Sequence, residues 1–79
     1  MKREEILYDF NKIFKNIFED DELVISFKTT ANDIDDWDSL NHLQLIVSIE
    51  KHFQVRFTAN EILNFHNVGE MIDSLIHKL

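Results

Sequence analysis

The sequence predicts an all-α fold: a bundle of three long helices and one short one, with a long loop between helices one and two. Three observations lead there. Apolar residues recur at helical spacing through most of the chain. One glycine and no proline among 79 residues leave almost none of the punctuation that a set of short strands needs. The one segment that alternates like a strand, Val55-Arg56-Phe57, has no partner with which to build a sheet.

Helix one is expected over residues 3–18. Ile6, Phe10, Ile13 and Ile17 repeat at helical spacing beside Leu7, Phe14 and Phe18, and Tyr8, Asn11, Lys12, Lys15 and Asn16 take the other side. A connection from about 19 to 37 follows, polar at both ends, with Leu23, Val24, Ile25 and Phe27 in the middle. Its apolar centre is expected to tuck back over the helices; a loop this long in a compact domain is often functional. Helix two should run from near Ser39 to about Phe53. Its apolar residues cover more than half the wheel, with Asn41, Gln44, Ser48, Lys51 and His52 as a narrow polar strip, which places it centrally. A short third helix fits 59–65, because Thr58 and Glu61 have capping-box spacing. The last runs from about 68 to 78, opened by Asn67 with Glu70 three residues on. Ile6, Phe10, Ile13, Leu43, Val47, Phe53, Ile72 and Leu75 are the expected core.

Composition excludes several functions. Residues 1–79 are expected to form one domain, since a chain this short buries only about 60% of its unfolded surface, leaving little room for a deep catalytic pocket. No stretch approaches the roughly 20 apolar residues that span a bilayer. The start, Met1-Lys2-Arg3-Glu4-Glu5, lacks the apolar run of a signal peptide. Zero cysteines exclude a disulfide scaffold, a thiolate metal site and a cysteine nucleophile. The expected compartment is the cytoplasm. The net charge of −7 argues against a nucleic-acid partner. All of that charge lies in residues 19–38, where Glu19, Asp20, Asp21, Glu22, Asp33, Asp35, Asp36 and Asp38 face one base, Lys28. The segment is either a solvated loop or a docking surface for something basic.

Other polar residues have structural explanations. His42, His52, His66 and His77 have no spacing that gathers them at one metal, and are expected at the surface or an edge. A calcium loop starting at Asp33 would need glycine at Asp38 and glutamate at Gln44, so it is rejected. Glu50 falls in the apolar arc of helix two, where an ion pair with Arg56 would suit it. Trp37 is expected to anchor the loop to the core.

Asp38-Ser39-Leu40 stands where the acidic loop meets helix two. Asp or Ser before a helix caps free backbone N–H groups, worth about 0.5–2 kcal/mol. Asp73-Ser74-Leu75 repeats the tripeptide, but Ser74 is expected mid-helix, where the N–H groups are already used. A phosphodiester on Ser39 would instead sit at a helix N-terminus, where unpaired N–H groups and the helix dipole favour negative charge. Here the chain resembles the acyl carrier protein family. The matching positions run from Asp38-Ser39-Leu40 through Leu43, Leu45, Ile49, Glu50, Phe53 and Phe57 to Val68, without an insertion, and the final helix fits as well. That covers about half the chain.

The resemblance implies a four-helix carrier fold and a 4′-phosphopantetheine arm on Ser39, whose thiol holds acyl or aminoacyl groups as thioesters. It implies that Asp38 assists modification by a phosphopantetheinyl transferase, and that Leu40 and Phe57 help form the apolar patch that partners grip. Trp37 stands where the family usually has a small residue. Asn41, Gln44 and Lys51 replace residues that are commonly acidic in fatty-acid carriers. The acidity has moved upstream, which makes Asp33, Asp35, Asp36 and Trp37 the expected partner surface and points to a dedicated secondary pathway. The expected partners are the transferase, a loading ligase and downstream biosynthetic enzymes, with the carrier a monomer and itself no enzyme. The rival is an unmodified helical domain that binds a basic partner through its acidic loop. A hydrolase using Ser39 fails, because no histidine is placed by sequence to activate the serine.

Overall fold

The computed structural model describes all of residues 1–79. Helix α1 spans Arg3–Ile17, α2 Ser39–Phe53, α3 Ala59–Asn64 and α4 Val68–Ile76, with one 3-10 turn at Ala31–Asp33 and no strand. Local chemistry explains the helix starts. The Glu5 carboxylate accepts the Lys2 N–H at 2.9 Å at the head of α1. Thr58 and Glu61 form the expected reciprocal box: the Thr58 N–H donates to Glu61 at 2.7 Å, and the Glu61 N–H to Thr58 Oγ1 at 3.1 Å. Asn67 Oδ1 accepts the Glu70 N–H at 2.9 Å. The ends are less regular, with α1, α3 and α4 stopping one or two residues short of the expected limits. Gln54 closes α2 in the left-handed conformation, φ 57°, that glycine more often supplies.

Twelve apolar side chains form the core, drawn from α1 (Ile6, Phe10, Phe14), the loop (Ile25), α2 (Leu45, Ile46, Ile49), Phe57 and α4 (Val68, Met71, Ile72, Leu75). Ile13 and Phe53 pack against it half-buried. Leu43 and Val47 do not belong to it: they are 54% and 47% exposed and form, with Leu40, an apolar ridge on the outer side of α2. The wheel revealed a broad apolar arc, but only the arc holding Leu45, Ile46 and Ile49 is covered by other helices. Phe57 is 8% exposed and packs edge-on against Phe65, so it cannot form the gripping patch expected of it. Its inward turn follows from Glu50, whose carboxylate accepts the Phe57 N–H at 2.8 Å; Glu50 serves the backbone there and makes no ion pair with Arg56.

The loop is fastened by polar groups as well as by Ile25. Asn11 Oδ1 accepts the Ile25 N–H at 2.8 Å while its amide donates to the Leu7 carbonyl at 3.0 Å, and Lys15 donates to the Leu23 carbonyl. Asn11 and Lys15 are thus drawn off the solvent face of α1 to hold the chain that crosses it. Val24, by contrast, is 79% exposed. Farther on, the N–H groups of Val68 and Gly69 donate to the carbonyls of Thr29 and Phe27 at 2.9 and 2.8 Å, so loop backbone meets the first turn of α4. A Cβ on Gly69 would lie 2.9 Å from the Phe27 oxygen, and this close approach is why glycine stands there. Arg3 clamps the same junction, stacking over Phe27 at 4.3 Å and bonding to Asp73 at 2.9 Å.

The two faces of α2 are separable by substitution. Ile46→Ala is expected to cost about 2–5 kcal/mol. Val47→Ala, one residue on, should cost under about 1 kcal/mol. Urea midpoints of the two variants measure the contrast.

Candidate functional site

The Asp38–Ser39 junction is built from the loop inwards. Trp37 lies half-buried, edge-on to Phe14 at 5.2 Å and 6.2 Å from Phe18, and so anchors the loop as expected. Asn41 donates to the Asp36 carbonyl at 2.7 Å and fixes the chain on the other flank. Asp38 is the cap residue: its carboxylate accepts the Asn41 N–H at 2.9 Å, and its carbonyl accepts the His42 N–H at 2.9 Å. Ser39 is the first helical residue, exposed, and its hydroxyl is not consumed in capping. The N–H groups of Ser39 and Leu40 have no carbonyl one turn back to accept them, which makes this end of α2 hospitable to an anion. Leu40 stands 64% exposed beside it, at the head of the Leu40–Leu43–Val47 ridge.

The second serine behaves differently. Ser74 is half-buried within α4, and its hydroxyl donates to Glu61 at 2.9 Å. A phosphodiester there would face a carboxylate.

Ser39 opens on a cleft of about 330 Å³ between α2 and α3. Trp37, Asp38, Ser39 and His42 line one side; Ile62, Leu63 and Phe65 line the other, with His66, Asn67, Met71 and Ala31 at its ends. His42 is half-buried and bridges the two helices, a role that sequence spacing did not reveal; His52, His66 and His77 are exposed. The acidic loop supplies a smaller depression of about 260 Å³, lined by Asp20, Asp33, Asp35 and Asp36 together with Phe18, Leu23 and Ile34. Asp35 and Asp36 are exposed. Asp33, also exposed, caps the 3-10 turn, accepting the Thr30 N–H at 2.9 Å. No group of three His, Cys, Asp or Glu side chains is arranged to hold a metal ion.

Helix α3 has no fully buried residue; Ile62, with Phe65 just beyond its end, packs half-buried against the core, and polar ties add to that hold. Glu61 is the hub: it accepts from the Thr58 N–H, from Ser74 and from Lys78 Nζ at 2.9 Å. The Thr58 N–H, then Lys78, then the Ser74 and Thr58 hydroxyls outweigh desolvation and lower its carboxyl from 4.5 to about 2. Glu70 is lowered too, by the His66 N–H and then by the His66 ring.

A family model described as "Phosphopantetheine attachment site" matches residues 15–75. The solution NMR structure of the holo acyl carrier protein from Geobacter metallireducens is 43% identical over 91% of this chain and 83% of that one, with a TM-score of 0.85. The chain belongs to the acyl carrier protein family. The crystal structure of an acyl carrier protein from Thermotoga maritima shares the fold, with a TM-score of 0.85 at 24% identity over 99% of this chain and 91% of that one. No curated protein matches the sequence. This acyl carrier protein therefore has a four-helix carrier fold, takes a covalent 4′-phosphopantetheine group and is a carrier, not an enzyme. Membership implies a phosphopantetheinyl transferase and biosynthetic enzymes as partners. None of the carrier's helices is long and apolar enough to cross a membrane.

The lowered Glu61 carboxyl has a pH consequence. A group whose folded value lies below its unfolded one stabilises the fold above the unfolded value, and that contribution is lost as pH falls through the folded value. Glu61→Gln should therefore be less stable than wild type at pH 6, with the difference closing between about pH 4.5 and about pH 2. Helicity followed by circular dichroism through acid and urea titrations measures that gap.

Proposed function

We propose that Ser39 carries the phosphopantetheine arm and that the carrier serves a dedicated secondary pathway, tethering acyl or aminoacyl groups as thioesters. One observation supports the assignment above all: Ser39 offers an exposed hydroxyl, free of capping duty, at the N-terminus of a 15-residue helix. The donor set suits a phosphodiester, because the first turn of α2 presents N–H groups and the helix dipole favours negative charge. The competing serine is tied to a carboxylate. Asp38, as cap, holds the backbone on which a transferase would act, and Leu40 gives that enzyme an exposed apolar contact. The arm supplies the thiol; residues 1–79, as one domain, supply position and recognition. Tethering raises the local concentration of the cargo at each enzyme in turn.

Co-expression with a phosphopantetheinyl transferase, followed by intact mass and peptide mapping, tests the site. One adduct is expected in wild type and in Ser74→Ala, and none in Ser39→Ala, with helicity retained in all three. An adduct on Ser74, or none on wild type, overturns the assignment; the latter leaves the unmodified interaction domain.

Partner recognition is proposed to rest on Asp33, Asp35 and Asp36, with Trp37 at the neighbouring Ser39 cleft. All seven net negative charges lie in residues 19–38, whereas α2 has Asn41, Gln44 and Lys51 in place of acids. The replacement of acids on α2 is also what favours a dedicated pathway over a housekeeping fatty-acid role. A partner that receives the arm should present arginine and lysine around its entrance, and such attraction acts mainly on association rate and weakens with salt. Asp→Asn at 33, 35 and 36 together keeps the Thr30-capping acceptor but removes the charge. It should slow loading by the cognate enzyme about tenfold at low salt and flatten the salt dependence, while Lys51→Glu changes little. Loading at the wild-type rate, with Leu43→Ala or Val47→Ala crippled, would move recognition to the apolar ridge of α2.

A further inference from the structure

His42 is held from both ring nitrogens. The indole N–H of Trp37 reaches Nδ1 at 3.0 Å, and Nε2 lies 3.0 Å from the carbonyl oxygen of Ile62. An indole N–H can only donate and a carbonyl can only accept, so one form of the ring satisfies both: neutral, with its proton on Nε2. The two rings lie nearly parallel, 27° apart with centroids at 5.9 Å. The relay thus runs from the loop before Ser39, through α2, to α3. It forms one side of the Ser39 cleft.

We propose that His42 is a positioning residue that latches α3 beside Ser39 as a neutral imidazole and releases it on protonation. An imidazolium has no acceptor, so Nδ1–H would confront the indole N–H and that bond must break. Apart from this bond, α3 is held on this flank by the half-buried side chain of Ile62, with no fully buried residue. Its other tie, Glu61 to Ser74 and Lys78, lies towards α4 and acts as the hinge. Release therefore swings the Ile62–Leu63 side away from α2 and opens the cleft. The consequence for function rests on the reading of Ser39 as the arm site: whatever the arm carries meets this cleft first, open or closed according to the proton on His42.

Other titratable groups lie around the same ring. Asp38, the cap residue one turn before His42, lines the same cleft with its carboxylate committed to the Asn41 N–H. His66, held by Glu70 at 3.0 Å, lines the far end of the cleft. Glu61 on α3 is committed to Thr58, Ser74 and Lys78. Around the indole lie Phe14 of α1, Phe18 just beyond its end and Met71 of α4, none of them titratable.

The test uses the full chain without its arm, so it stands or falls separately from the modification of Ser39. In ¹⁵N-labelled protein at pH 8, the His42 ring should show the Nε2–H tautomer. As pH is lowered, protonation of the ring should coincide with a shift of the Trp37 indole N–H resonance. The amide protection factors of Ile62 and Leu63 should fall about tenfold over the same step, the effect of one or two lost hydrogen bonds. His42→Gln keeps an acceptor and a donor but cannot protonate, so both signals should become independent of pH; His42→Phe should show low protection throughout. The Nδ1–H tautomer at pH 8 overturns the proposal. So does a wild-type response in His42→Gln, or a response abolished by His66→Gln.

Discussion

An aromatic column along α1 fixes the geometry on which everything else depends. Phe10 contacts Phe53 at 6.1 Å and Phe14 at 6.3 Å; Phe14 in turn meets Phe18 at 5.9 Å and Trp37 at 5.2 Å. Phe53 ends α2 and Trp37 stands just before its start, so one column grips both ends of that helix. Offset and edge-on ring contacts add about 0.5–1.5 kcal/mol each beyond the area they bury. More usefully, rigid rings tolerate little sliding. The N-terminus of α2, and with it Ser39, is placed by the packing of Trp37 on the rings of α1.

Around that column the chain solves its other problems with polar side chains. There is no disulfide, and the single glycine is used where loop backbone touches α4. Asn11 and Lys15 hold the crossing loop, Glu50 turns the Val55–Phe57 segment inward, and Glu61 ties α3 to α4. Each serves backbone or side-chain groups that would otherwise be left unpaired near the core, and no buried side-chain nitrogen or oxygen lacks a partner. The outcome is a small body whose firm part is α1, α2 and α4, with α3 attached along its edges.

How much of this the sequence disclosed depends on how local the signal was. The four helices, the Thr58–Glu61 box and the Asn67 cap were legible because each is encoded within a few residues. The prominence of Asp38-Ser39-Leu40 was legible too, since a cap and a helix start share that span. Leu43 and Val47 were misplaced, because periodicity defines an apolar arc but not which part of it another helix covers. Phe57 was misplaced for a related reason: its inward direction is set by Glu50, seven residues away across a turn. His42 was unreadable as a bridge, since its second partner is a carbonyl twenty residues on and leaves no mark in side-chain spacing. The turns were hard to place because Glu19 and Gln54 take the left-handed conformation without being glycine.

Trp37 has one more consequence. It is the only tryptophan, and it lies between the buried rings of α1 and the surface beside Ser39. The long-wavelength emission of the whole molecule therefore comes from the residue that walls the site. Covalent modification, arrival of a partner or displacement of α3 would each alter the surroundings of that one chromophore. The protein carries an intrinsic optical reporter at the place where its work is done, with no label to perturb it.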